Sequence, residues 1–158
     1  MNMLDLFPVG QKITLGTRAF PAHDIIAFAQ RFDPQPFHLD AEAAKNYVFG
    51  ALCASGWHSA SGWMRTFLDF WTARCTAIRA EGGTPPLLGP SPGFRDLAWI
   101  KPVFAGDELT YFLTGLEARP LNSRPGWRMN MCLAEAENQH GEPVLRFTSS
   151  VLEQEPAT

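Results

Sequence analysis

From Gly56 to Arg79 the chain reads GWHSASGWMRTFLDFWTARCTAIR, and this stretch constrains the fold more than any other. Trp57, Ala60, Ser61, Met64, Phe67, Leu68, Trp71, Cys75 and Ile78 recur at the spacing of one helical face. Trp63 and Phe70 add a second apolar stripe. A helix that is apolar on more than one side needs burial. Ser55 is placed to cap its start, and EGGTPP, from Glu81 to Pro86, ends it. After Pro86 the period drops to two. GFRDLAWIKPVF, DELTYFLTGLEAR, GWRMNMCLAEAEN and PVLRFTSSVLEQ read as four strands joined by turn residues. In the third of these, Trp127, Met129, Met131 and Leu133 face one way, and Arg128 and Asn130 the other. Strands in sequence behind bunched helices predict an α+β fold, with an antiparallel sheet wrapped around the long helix.

The segments upstream fit that plan. QKITLGTR, residues 11–18, alternates as a first strand. PAHDIIAFAQRF puts Ile25, Ile26, Phe28 and Ala29 on one helical face, with Pro21 as its starter. Asp33-Pro34-Gln35-Pro36 ends that helix and holds the chain away from helix, because a residue before proline is pushed out of the α region. Asp40 caps a short helix over AEAAKNY, which Phe49-Gly50 breaks. A chain of 158 residues with 46% hydrophobic and 18% charged residues predicts one domain over 1–158 with a real core.

Composition also excludes classes of function. The net charge is -3, and the basic residues are scattered, so no nucleic-acid partner is expected. No apolar run is long enough to span a bilayer, so no membrane partner is expected. MNMLDLFPVG lacks the basic start of a signal peptide. Cys53, Cys75 and Cys132 form neither a CxxC pair nor a disulfide framework, and read as small apolar fillers of a cytoplasmic protein. The histidines, at 23, 38, 58 and 140, show no metal-ligand spacing, so no metal site is expected.

Two stretches carry residues suited to chemistry. In RFDPQPFHLD, Asp33 and His38 stand five residues apart on a proline-stiffened segment. Such a carboxylate and imidazole can hold a water, take its proton and return a proton to a neighbouring carbon. Equally, Asp33 can be a turn residue and His38 a donor to a backbone carbonyl. In ALCASGWHSASGW, small residues lead into the long helix, where the free N–H groups of Gly56 and Trp57 can polarise a carbonyl oxygen. The alternative there is an ordinary cap with close packing. His58 reads as a packing residue, because a helix N-terminus disfavours the imidazolium. Ser59 and Ser61 do not sit in a nucleophile elbow. The Trp, Phe and Met residues of the helix read chiefly as core, with some available to line an acyl tunnel.

Taken together, these blocks resemble the MaoC-like dehydratases, which include the (R)-specific enoyl-CoA hydratases. Asp33, Pro34, Pro36, His38 and Asp40 fill the places of the family's hydratase motif. FGALCASGW is similar to the lead into its central helix, and WIKPVFAGDEL, LNSRPGW and ENQHGEPVLRF to its C-terminal sheet. Gln35 stands where asparagine is common, and Met64 where the better-known hydratases carry a serine. The resemblance implies a hotdog fold, a curved antiparallel sheet around a long central helix, in a homodimer or higher homo-oligomer. It implies reversible hydration of a trans-2-enoyl thioester of CoA or an acyl carrier, without cofactor. Asp33 and His38 would activate water, the Gly56 amide would hold the thioester oxygen, and Ser55, Trp57, Phe37 and Met64 would line the substrate site. An acyl-thioester binding protein without turnover and a hotdog thioesterase are the alternatives on the same fold.

Overall fold

The structure, a computed structural model, describes residues 1–155, so the last three positions of the expected domain lie outside the described residues. In chain order the elements are α1 (Met3–Leu6), β1 (Lys12–Ala19), α2 (Ala22–Phe32), α3 (Pro36–Leu39), α4 (Ala41–Ala44), α5 (Gly56–Ala80), β2 (Leu87–Leu88), β3 (Gly93–Trp99), β4 (Glu108–Pro120), β5 (Trp127–Glu137) and β6 (Pro143–Gln154). Every named strand pair is antiparallel, and the sheet runs β1, β4, β5, β6, with β2 and β3 sharing the outer side of β6. Register shifts at Thr14/Gly16, Gly115/Glu117 and Arg95/Ala98 are bulges that increase the twist and curl the sheet. The long helix α5 lies in the curl. This is the hotdog arrangement.

What seats α5 is a set of small residues together with Trp63. The Tyr111 hydroxyl, fully buried, donates to the Ser59 carbonyl at 2.9 Å, and the Trp63 indole N–H donates to the Phe112 carbonyl at 3.0 Å. A Cβ on Gly62 would stand 2.4 Å from the Tyr111 hydroxyl. Ser59, Trp63, Thr66, Cys75 and Ile78 are the buried residues of the helix. Of the stripe expected from periodicity, Cys75 and Ile78 are buried and Ala60, Phe67 and Trp71 pack against the core, as do Trp63 and Phe70 of the second stripe. Trp57, Met64 and Leu68 are exposed, while α2 and the N-terminal segment cover other parts of α5 through Phe28 and Phe7. Periodicity registers apolar size, whereas a close helix–sheet approach selects residues without bulk.

The far end of the curl is closed by the N-terminus. Phe7 is fully buried among Phe67, Phe70 and Trp71. The Met3 N–H donates to a buried Glu153 carboxylate at 2.7 Å, whose other oxygen accepts from Asn130 at 2.8 Å. Asn130, Cys132, Ala134 and Ala136 are the core side of β5, so the strand alternates as expected, with Trp127, Met129 and Leu133 half-buried on its other face and Met131 buried there. Small side chains on this strand leave room for the helix. The three cysteines are buried and free. No helix among the described residues is long and apolar enough to cross a membrane.

Replacing Glu153 by alanine would strand two buried donors, and is expected to cost about 3 kcal/mol. Urea unfolding of the variant checks this. An unchanged midpoint would mean that the N-terminal segment is held by Phe7 packing alone.

Candidate active site

The Asp33 N–H closes α2 on the Ala29 carbonyl at 2.9 Å, and Pro34 prevents continuation. Contrary to expectation, the next residues return to helix at once. Pro36 occupies the first turn of α3, where its missing N–H costs nothing. That single turn carries Phe37 and His38, and ends at Asp40. The Asp40 carboxylate caps α4 through the Glu42 and Ala43 amides at 2.7 and 2.9 Å. The turn folds His38 back beside Asp33, with Nε2 3.5 Å from Oδ2.

The buried segment leading to α5 completes the cluster. The Cys53 carbonyl lies 2.6 Å from His38 Nδ1. A carbonyl only accepts, so Nδ1 carries a proton and, in the neutral ring, Nε2 is the bare nitrogen turned toward Asp33. The Ser55 hydroxyl donates to Asp33 Oδ2 at 2.7 Å while accepting from the Trp57 N–H at 3.3 Å, so one side chain joins the motif to the helix start. Gln35 donates to Asp33 Oδ1 at 2.8 Å. Burial alone would raise the Asp33 pKa. The hydrogen bonds from Ser55 and Gln35 and the nearby His38 outweigh it and hold the carboxyl below the ordinary aspartate value.

His38 opens onto a cleft of about 250 Å³ whose walls include Phe37, Gly56, Ser59, Trp99 and Lys101. Phe37 stands edge-on to the imidazole at 4.4 Å between ring centres. The Gly56 amide is the first of α5, and among the described residues it has no acceptor. Its glycine is required, because a Cβ there would stand 2.3 Å from the Trp99 ring. Asp33 does not line the cleft itself and meets it through His38.

Of the residues singled out from sequence, Asp33, His38, Ser55, Gly56 and Phe37 come together. Trp57 and Met64 do not. They are 50% and 48% exposed and line a separate groove between α5 and β3. The hydrogen bond that Met64 cannot give Asp33 is made here by Ser55. His58 stacks on Phe28 at 4.6 Å on another side of α5, and burial lowers its pKa against the pull of Asp24. The Ser59 and Ser61 hydroxyls are spent on the Gly56 and Trp57 carbonyls. Sequence reasoning missed the Cys53 carbonyl, the Gln35 amide and Trp99. A D-P-Q-P turn can suggest the Gln35 contact, but a backbone carbonyl and a distant edge-strand tryptophan leave no local trace. Among the described residues, no three His, Cys, Asp or Glu side chains gather as a metal would need.

Comparison with known proteins adds relatives. A family model described as MaoC like domain matches residues 7–120. The YdeM protein of Bacillus subtilis (strain 168) is 27% identical over 149 residues, which cover 94% of this chain and 96% of YdeM. Among solved structures, a MaoC-like dehydratase from Rhodospirillum rubrum is 35% identical with a TM-score of 0.79, over 98% of each chain. An (R)-hydratase from A. caviae involved in PHA biosynthesis superimposes with a TM-score of 0.60 at 22% identity, over 94% of this chain and 96% of its own. That last likeness is one of fold.

The Asp33 environment sets a pH dependence. Its folded pKa lies below the unfolded value, so its contribution to stability is complete above the ordinary aspartate value and is lost as pH falls through the lowered one. Asp33→Asn should flatten that part of the stability curve, and Ser55→Ala should move the Asp33 carboxyl titration upward in ¹³C NMR. A titration unmoved in Ser55→Ala would show that this hydroxyl does not hold the carboxylate.

Proposed function

This chain belongs to the MaoC-like domain family, and on that footing we propose that it reversibly hydrates a trans-2-enoyl thioester to an (R)-3-hydroxyacyl thioester. One observation carries the proposal. The His38 imidazole is fixed through Nδ1 on the Cys53 carbonyl, so its basic Nε2 faces an ionised Asp33 beside a free Gly56 amide.

Water bound in the cleft against Nε2 gives a proton to His38 as its oxygen adds to C3 of the enoyl group. The electron pair of the double bond moves toward the thioester oxygen, where the Gly56 N–H and the start of α5 stabilise the growing charge. The imidazolium, steadied by the Asp33 carboxylate, then gives its proton to C2. Every atom of water ends in the product. In this reading Asp33, held below the ordinary aspartate value by Ser55 and Gln35, has the electrostatic role and His38 carries the proton. The thioester acidifies C2, so this chemistry calls for no metal or organic cofactor.

The protein is further proposed to act as a homodimer. The outer side of β3 is unpaired among the described residues, and Trp57, Met64, Leu68, Phe94, Trp99 and Ile100 are exposed on α5 and along β3. Sheet continuation from β3 to a second copy would satisfy the edge and roof those side chains from water without filling the groove they line. Sedimentation at twice the mass of one chain is expected. A monomer at micromolar concentration would exclude this arrangement.

The decisive assay follows the loss of enoyl-thioester absorbance with crotonyl-CoA and longer enoyl-CoAs. Asp33→Asn and His38→Ala should each lower kcat/KM by about 10³-fold, the scale of positioned acid–base groups, with circular dichroism unchanged. Turnover retained in both variants would sink the assigned mechanism. Release of free thiol would identify a thioesterase instead, and binding without turnover an acyl-thioester binding protein.

A further inference from the structure

We propose that Trp99 selects acyl-chain length in this site, an inference that rests on the thioester reading above. Trp99 ends β3, and its ring lies against the Cα of Gly56, where a Cβ would meet Cε2 at 2.3 Å and Nε1 at 2.5 Å. The same ring stands edge-to-face with Trp57, at 5.1 Å between centroids and 80° between planes. The two indoles form a wall.

Cavities lie on both sides of it, along α5 and the end of β3. On one side is the cleft of about 250 Å³ reached by His38, Gly56, Ser59 and Trp99. On the other is a groove of about 140 Å³, one step along both elements, lined by Trp57, Ala60, Met64, Phe94, Leu97 and Phe147. The first holds the polar groups that a thioester head needs. The second is apolar, with two serines at its margin, and suits a hydrocarbon tail. With the wall in place, a chain bound by its head at His38 stops at the indole, and the site accepts short acyl groups. Trp57 and Trp99 are 50% and 44% exposed, and the wall is held by their edge-to-face contact and by the Trp99 ring against Gly56, so removing the Trp99 indole would join cleft to groove.

The test compares wild type, Trp99→Phe and Trp99→Ala across crotonyl-, trans-2-octenoyl- and trans-2-dodecenoyl-CoA. In parallel, calorimetry measures the Kd of saturated butanoyl- and dodecanoyl-CoA. The alanine variant should shift the dodecenoyl-to-crotonyl ratio of kcat/KM, and the matching ratio of affinities, at least about tenfold toward the long chain. The phenylalanine variant should fall between. A merely structural tryptophan would lower all chain lengths alike, so a uniform loss or an unchanged ratio overturns the proposal. If no enoyl thioester is hydrated, the hydration reading fails while the affinity ratio still decides for or against Trp99. If no acyl-CoA binds any of the three proteins, both fail.

Discussion

The close approach of α5 to β4 is the contact on which the remaining geometry rests. The Tyr111 hydroxyl reaches the Ser59 carbonyl because Gly62 offers no side chain in the way. The Trp63 indole repeats the tie one turn further along, on the Phe112 carbonyl. Two bonds from neighbouring residues of one strand fix both the height and the rotation of the helix over the sheet. Once that is set, the start of the helix must fall where Leu52–Ser55 runs buried beneath the α3 turn. The site is therefore a consequence of how the core is packed, and its free amide is presented by a helix tied to the sheet at two points.

The polar groups of the site are arranged so that each does one thing. His38 spends one nitrogen on a backbone carbonyl, which orients the ring and leaves the other nitrogen basic. Asp33 receives hydrogen bonds on both oxygens, which keeps it charged despite its half-enclosed position. Ser55 serves the carboxylate and the helix start with one hydroxyl, so motion of the loop against the helix breaks two bonds together. Such support from surrounding groups is what holds reacting side chains to a working geometry. Buried carboxylate chemistry elsewhere follows the same economy. Glu153 is tolerated inside because a backbone amide and an asparagine satisfy it, and in return it docks the N-terminal segment.

Much of this was legible from local signals. The strand periods, the Ser55 and Asp40 caps and the span of the long helix are properties of a few consecutive residues, and the structure places most of them within a residue or two, although the strand read to Phe104 ends at Trp99 and the helix read to Tyr47 ends at Ala44. The proximity of Asp33 and His38 was also suggested locally, because only one turn separates them. What local pattern misjudged was the share of small residues in the core. Large apolar residues marked two stripes of α5 and one face of β5; the core takes Trp63, Cys75 and Ile78 but also the small Ser59 and Thr66 from the helix, and Asn130, Ala134 and Ala136 beside Met131 from the strand. Where helix and sheet press close, small residues go inside and some large ones are left for another surface. The prolines misled in the same way. Asp-Pro-Gln-Pro reads as a break, and it is one for α2, but Pro36 is equally suited to begin α3.

By itself, the order of residues determined the elements, their succession as helices then strands, and the motif that sets an aspartate and a histidine on one stiff turn. These follow from backbone preferences and from spacings within a turn or a strand, which are local physics. Only the tertiary structure decided which side of α5 meets the sheet, that a Cys53 carbonyl assigns the His38 tautomer, and that Ser55 rather than residue 64 holds the carboxylate. It also decided that Trp99, forty-three positions from Gly56 in the chain, covers that glycine. Those contacts join segments far apart in sequence, and their geometry exists only once the sheet has curled and the helix is seated in it.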